Sequence, residues 1–386
     1  MSFLSKEVEE LKEATRHFAN REVIPVAHKI DAEQGEIPLA LIAKMADMGF
    51  FAVIFPQEYG GLDLGALGLA VVTEELSRGW LSVGSLPGRN WLCGHILARS
   101  GTEEQKQRFL PGMASGQIQS ASAGTEPEAG SDAANIKVRA VRKNDRYEVS
   151  GAKMWCTFAN RANVLFTYCR TSNESKHRGI SLLMAEKKPG DDFVPPTLTG
   201  SRIRTIGYHG MNTFQLFFDG FEIPKGNLVG GEEGRGFIQL MEGYELGRVQ
   251  FAFRCIGVAQ AAYEAALDYA KQRVQFNQPI AKFQAIRFRL ADMATQIEAA
   301  RNLGYLAAAK IDRGERADLE AGMVKLFASE MAKRVCNSAL EIHGGNGLAQ
   351  DFPVSRFWRD SALFTIGEGT SEVQREIIAK RILGER

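Results

Sequence analysis

The spacing of apolar residues changes twice along this chain, and that double change limits the fold more than any other feature. From the N-terminus to about residue 116 the spacing is helical. "KEVEELKEATRHF" puts Val8, Leu11, Thr15 and Phe18 on one face. "PLALIAKMADMGFFAVIF" continues helically and ends in a short β-like run, and "PQEYGGLDLG" is turn chemistry around Pro56 and Gly60-Gly61. "ALGLAVVTEELSR" and "TEEQKQRFLPGMASG" follow as helices, the second capped by Thr102 with Glu103 and Glu104 in its first turn. The period then drops to two. "NIKVRAVRKNDRYEVSG" alternates about Asn144-Asp145, as a hairpin does, and "NVLFTYCR", "GISLLMAE" and "TFQLFFDGFEI" are strand-like. From Gly236 the helical period returns in long Ala-rich runs that suit an antiparallel bundle. The expected class is therefore α+β in three domains: 1–116 helical, 117–232 a β-barrel or sandwich, and 233–386 a helix bundle.

Several function classes fall away. A formal net charge of +1 supplies no basic field for nucleic acid. No apolar run is long enough for a membrane span, and the first residues lack a signal-peptide pattern, so a cytoplasmic protein is expected. The five cysteines (Cys93, Cys156, Cys169, Cys255, Cys336) are scattered, and the six histidines are equally dispersed. That argues for a reducing compartment and against disulfides, structural zinc or any metal site. No strand–GxGxxG–helix unit exists, so a Rossmann nucleotide site is not expected. "GGEEGRG" (230–236) reads as a loop into the bundle.

Near the C-terminus stands "IGEGTSEVQ", with Glu368 between Gly367 and Gly369. Flanking glycines let the backbone bend sharply and approach a ligand closely. On these residues alone two readings stand: a turn with an exposed glutamate before a last helix, or a carboxylate held at a ligand's reacting atom.

"TEPEAGSD" (125–132), "GAKMWCT" (151–157), "RVQF" followed by "PIAKFQAIRF" (273–288), "EIHGGNG" (341–347) and "GEGTSE" (367–372) occur in that order. Together they resemble the acyl-CoA dehydrogenases, flavoenzymes that desaturate acyl-CoA thioesters, over nearly the whole chain. The resemblance implies FAD as cofactor, an acyl-CoA substrate and electron-transfer flavoprotein as electron acceptor. It makes Glu368 the base that removes the α proton, and substrate binding, by expelling water, strengthens a carboxylate for that task. Some members carry the base instead on a bundle helix. The matching position here is Gly247, which cannot serve, and Glu245 two residues earlier is the remaining competitor.

The resemblance also assigns the flavin contacts. Ser122, Ala123, Gly124, Thr125, Gly130 and Ser131 lie in a small-residue loop at the pyrimidine end, and Ser122 stands where the family often has an aromatic residue. Trp155, Cys156 and Thr157 match its Trp-x-Thr, the indole offering a flat face to the isoalloxazine. Arg273, Phe276, Ile280, Phe283 and Gln284, with Glu341, Gly344 and Gly345, would hold the pyrophosphate and adenine of a neighbouring subunit's FAD, Arg by its fork geometry. Thr370 and Glu372 complete the set. An FAD shared between protomers implies at least a homodimer, and the family is commonly a homotetramer.

Ser131, Glu245 and Arg248 are the expected CoA contacts, Arg248 having a structural ion pair as its alternative role. Gly367 and Gly369 flank the acyl site. Gly367 replaces the tyrosine of straight-chain members, which implies tolerance of short, branched or cyclic acyl groups. Arg89 reads as a solvated arginine, the alternative being a partner for a second carboxylate in a dicarboxylyl-CoA. Rival functions on the same fold are an acyl-CoA oxidase, an enoyl-CoA reductase, a dicarboxylyl-CoA dehydrogenase or lyase, and a non-enzymatic flavin-binding relic.

Overall fold

A computed structural model describes residues 4–174 and 177–385, so residues 1–3 and 386, at the outer ends of the expected first and third domains, lie outside the described residues. Helix α1 (Lys6–Phe18) is capped by the Ser5 hydroxyl and buries Val8, Thr15 and Phe18. It is followed by α2 (Ile24–Ala32), α3 (Leu39–Asp47), α4 (Gly65–Gly79), α5 (Leu81–Ser100) and α6 (Glu103–Ala114). At α6, Thr102 and Gln105 form a reciprocal capping box, which satisfies two backbone donors at once.

The β-like run after α3 is not a strand. Phe50, Phe51, Val53 and Phe55 are buried in successive turns. Their backbone bonds go to the chain returning after Gly60-Gly61, with Leu62 donating to Ala52 and Leu64 to Val53. A Cβ at Gly61 would fall 1.7 Å from the Phe55 carbonyl oxygen, so only glycine allows that return.

The middle region is one seven-stranded sheet of β1 (Ser120–Ala123), β2 (Arg139–Lys143), β3 (Arg146–Thr157), β4 (Val164–Arg170), β5 (Ile180–Glu186), β6 (Leu198–Ile203) and β7 (Thr213–Pro224). The order is β1-β4-β2-β3-β7-β6, with β5 branching from β4. The β2–β3 hairpin turns at Asn144, whose φ is +51°. Strands β1 and β6 were not expected. β1 reads "SASA", with no β-branched residue, and is a strand because it pairs in parallel with β4. Ser122 and Ala123 therefore sit on a strand rather than in the expected loop.

The C-terminal part begins with α7 (Gly236–Gln272), a helix of 37 residues. A two-strand hairpin follows, β8 (Val274–Gln275) and β9 (Gln278–Pro279), then α8 (Gln284–Asp312), α9 (Asp318–His343), α10 (Pro353–Ser361) and α11 (Ser371–Leu383). Helix α7 packs on α8 and α9 and also on α4 and α5, so one apolar core runs through both helical parts while the sheet keeps its own. This central position brings α5, α7 and the segment before α11 to a single place.

Candidate active site

The turn carrying Glu368 is held in a conformation its sequence does not favour. Glu368 has φ +53°, unusual for a residue with a side chain, and Gly369 has φ +87°. Two buried side chains enforce it. Lys325 of α9 donates from Nζ to the carbonyls of Phe364 (3.1 Å) and Gly369 (2.6 Å). Gln374 of α11 donates from Nε2 to the Glu368 carbonyl at 3.3 Å. Thr370 caps α11 by accepting from the Val373 amide. Burial brings the Lys325 ammonium down to about 8. What sets Lys325 apart in the helical pattern of α9 is its place within the apolar stripe of Ala321, Val324, Ala328 and Ala332.

The Glu368 side chain faces a cavity lined by Ser85, Gly88, Arg89, Leu92 and Cys93 of α5, Ser122 of β1, and Gly247, Gln250 and Arg254 of α7. Arg254, only 3% exposed, reaches Glu368 at 3.8 Å, donates to the Ser85 hydroxyl at 3.1 Å, and lies 3.4 Å from the Tyr208 hydroxyl. Arg89 donates to the same Tyr208 hydroxyl at 3.0 Å. Arg89 is thus not the solvated arginine expected, because α5 is buried on most sides and turns it into the cavity. Burial acts to raise the Tyr208 phenol, but Arg89 and Arg254 outweigh it and hold the phenol below its ordinary value. Burial pushes the Cys93 thiol up to about 12, so it is no nucleophile. Arg254, Tyr208 and Lys325 were missed by the sequence reading.

Gly247 brings no side chain to the cavity, and a Cβ there would meet Leu92 at 3.2 Å. Glu245 and Arg248 lie nine and twelve residues into α7. Neither belongs to the residues lining the cavity. The structural ion pair weighed for Arg248 does not form among the described residues; its guanidinium lies 5.4 Å from the Tyr244 ring centroid with Nε unbonded. Gly367 is also outside the lining. A Cβ there would meet Leu363 at 3.1 Å and Phe251 at 3.2 Å, so the Phe251 ring occupies the space that Gly367 was expected to vacate.

On the sheet side, Lys153 is fully buried and donates to the Gly124 carbonyl (2.9 Å) and to Glu126 (2.8 Å). Glu126 in turn accepts from the amides of Lys137 and Val138. This pair, invisible as a motif, pins the segment carrying Gly124 and Thr125 against β3, and Met154 donates to the Thr125 carbonyl. Trp155 sits at a register shift in β3 with φ +59° and is 54% exposed. Cys156 points the other way into the sheet core, where burial raises its thiol to about 12, so its side chain offers nothing to a ligand. The Thr157 hydroxyl is 3.1 Å from that of Thr213. Gly130 and Ser131 are exposed beyond this segment.

The remaining residues form a second group at the far end of α7. Arg273 follows its last turn. Phe276 and Asn277 both have positive φ at the tip of the β8–β9 hairpin, and Phe276 is 87% exposed. Phe283 packs edge-on to Phe276, and Ile280 and Gln284 follow the hairpin into α8. Glu341 is paired with Arg289 at 2.6 Å. Gly344, with φ +59°, and Gly345 have open space where a Cβ would stand. Arg254 and Arg273 are 19 residues apart on α7, roughly 28 Å at the helical rise. The residues expected around one cofactor therefore form two separated surfaces. Glu372, on the first turn of α11, is exposed and 3.8 Å from Arg375.

Both surfaces suit parts of an FAD. The first offers a bare indole and a backbone segment fixed by Lys153; the second offers an arginine, the exposed Phe276 ring and two glycines with nothing above them. Among the described residues no group of three or more His, Cys, Asp or Glu could hold a metal, and no helix is long and apolar enough to cross a membrane.

Residues 5–117, 121–221 and 234–383 match the acyl-CoA dehydrogenase N-terminal, middle and C-terminal domains, respectively. The chain is 42% identical to (2S)-methylsuccinyl-CoA dehydrogenase of Cereibacter sphaeroides over 386 residues, covering 99% of this chain and 70% of that protein. It is 37% identical to a subunit of the caffeyl-CoA reductase–Etf complex of Acetobacterium woodii, with 99% of each covered. A glutaryl-coenzyme A dehydrogenase solved with glutaryl-CoA superposes with a TM-score of 0.94 at 33% identity, covering 100% of this chain and 98% of that one.

Proposed function

This chain belongs to the acyl-CoA dehydrogenase family of FAD-dependent oxidoreductases, and from that premise we propose that it desaturates a short acyl-CoA thioester with Glu368 as the base. The observation that carries this reading is the enforced backbone at Glu368, whose carboxylate enters the cavity from a turn held by Lys325 and Gln374. Strain maintained by buried partners is characteristic of functional positions.

Bound FAD supplies the acceptor for the β hydride. Trp155, Gly124, Thr125 and Thr157 would hold its ring end, with Ser122, Thr370 and Glu372 beside them. Arg273, Phe276, Ile280, Phe283, Gln284, Gly344 and Gly345 would hold the adenine end of the cofactor bound mainly by a second copy. The separation of the two surfaces along α7 favours this division and hence a homodimer at least. Glu368 takes the proton from the carbon α to the thioester. Its backbone N–H donates to the thioester oxygen, where negative charge develops, and such donors are among the larger contributors to catalysis. CoA lies along Ser131, Glu245 and Arg248, with Gly369 giving the chain close access.

The acyl group is short, because Arg89 and Arg254, joined by the Tyr208 hydroxyl, bring to the cavity polar atoms that a long alkyl chain would have to desolvate. Gly88, Gly247 and Ser122 are small neighbours that leave room for a branch. Electron-transfer flavoprotein is the proposed redox partner. The reductase–Etf relative supports a second reading, in which the same residues run in reverse and Glu368 returns a proton to an enoyl-CoA.

The test is the FAD-loaded protein with a panel of acyl-CoA thioesters, followed by flavin bleaching and dye reduction. Glu368→Gln is expected to slow bleaching by about 10³-fold with FAD still bound. Normal desaturation by that variant would refute Glu368 as the base.

A further inference from the structure

Beside Glu368 the positive charges outnumber the negative ones. Arg89 from α5 and Arg254 from α7 both line the cavity, and arginine stays protonated in proteins. Their shared neighbours are one carboxylate, Glu368 at 3.8 Å from Arg254, and the phenol hydroxyl of Tyr208. Lys325, against the carbonyls behind Glu368, adds further positive character. Asp360 does not compensate, because its carboxylate accepts from the Tyr208 amide on the other side of that residue, next to Arg356. Arg254 is nearly inaccessible, and its Nε has no hydrogen-bond partner. A buried cation without a matched anion is costly, by several kcal/mol in general. A pocket built this way is stable when something anionic enters it.

We propose that Arg89, Arg254 and the Tyr208 hydroxyl receive a carboxylate at the far end of the acyl chain, so that the substrate is the CoA monothioester of a short dicarboxylic acid. This rests on the assignment of Glu368 to the α carbon. Two guanidiniums then face two carboxylates, one from the protein and one from the substrate. Arg254 touches both roles. Without substrate it is the counter-ion of Glu368; with the distal carboxylate bound, that carboxylate takes over Arg254 and leaves Glu368 to face the α carbon. A chain ending in methyl cannot make this exchange, and Glu368 stays paired. The closeness of Arg254 to Glu368 sets the length: the distal carboxylate sits within a few carbons of the thioester. The reaction balances as a plain desaturation. The α proton goes to Glu368, the β hydride to FAD, a carbon–carbon double bond forms, and the distal carboxylate is retained.

The experiment uses the FAD-loaded wild type with glutaryl-CoA and methylsuccinyl-CoA against pentanoyl-CoA and isovaleryl-CoA, reading kcat/KM by dye reduction. At least one dicarboxylyl thioester is expected to exceed its monocarboxylyl counterparts by on the order of 10²-fold or more, since a site built around polar partners rejects analogues that lack them. Arg89→Gln is expected to collapse that ratio by tenfold or more, mainly through KM, and Arg89→Lys to restore part of it. FAD content and circular dichroism report whether each variant is folded, and the wild-type panel decides the question without any variant. A wild type that prefers pentanoyl-CoA or isovaleryl-CoA, while Glu368→Gln is inactive, overturns the carboxylate receptor and leaves the base assignment standing. An active Glu368→Gln refutes the base assignment instead.

Discussion

Lys325 on α9 donates to the carbonyl of Gly369 at 2.6 Å, one residue beyond the glutamate whose position it determines. The same ammonium bonds Phe364, so a single buried cation spans the turn from both sides. Lys325→Met should therefore leave the fold intact but let the turn relax. Because a misplacement of about 1 Å can cost on the order of 10²-fold in rate, kcat should fall by about 10- to 100-fold with a smaller change in KM. Stopped-flow flavin reduction checks this, and an unchanged kcat would show that Gln374 alone suffices.

Gly367 is glycine for packing reasons. Gly367→Ala should lower stability by about 1–3 kcal/mol, since the new methyl group presses on Leu363 and Phe251. Thermal melts of Gly367→Ala, Phe251→Leu and the double variant provide the measurement. Partial recovery in the double variant is expected, because the ring that obstructs the methyl is gone.

Trp155 contributes little to the core. Trp155→Ala should change folding stability by less than about 1 kcal/mol, as for most exposed positions. Loss of the indole face should nonetheless weaken FAD retention by about tenfold, read as flavin absorbance after dialysis. Retention equal to wild type would remove Trp155 from the cofactor contacts.

Asp360 makes stability depend on pH in a direction opposite to most carboxylates. Burial raises it to about 6, against the pull of Arg356 and Arg359 and with help from Asp31. Between about pH 4 and 6 the folded state holds a proton that the unfolded state has released, so this contribution is present at low pH and is lost as pH rises through 6. Asp360→Asn keeps the oxygen that accepts from Tyr208 but cannot ionise. Relative to wild type, the variant should gain about 2–3 kcal/mol on going from pH 4 to pH 7. Urea unfolding at the two values measures it, and a constant difference would contradict the assignment.

Much of the fold was legible because it depends on local periodicity. The Thr102 cap, the Asn144 hairpin and the Ala-rich bundle helices follow from neighbours within a few residues. The strand β1 was not legible, since "SASA" has no intrinsic preference and becomes a strand only beside β4. The "FFAVIF" run misled for a related reason: its apolar residues are buried by a returning loop that Gly61 alone permits, not by a partner strand.

The sequence by itself determined the three-part order, the family and the candidate base, because spacing and motifs are properties of a chain read in one dimension. The tertiary structure alone decided what stands around that base. Arg89, Tyr208, Arg254 and Lys325 come from α5, the segment before β7, α7 and α9, and no spacing links them. They meet because α7 packs at once against α5 and α9, and charge acts over a few ångströms of space whatever the distance along the chain.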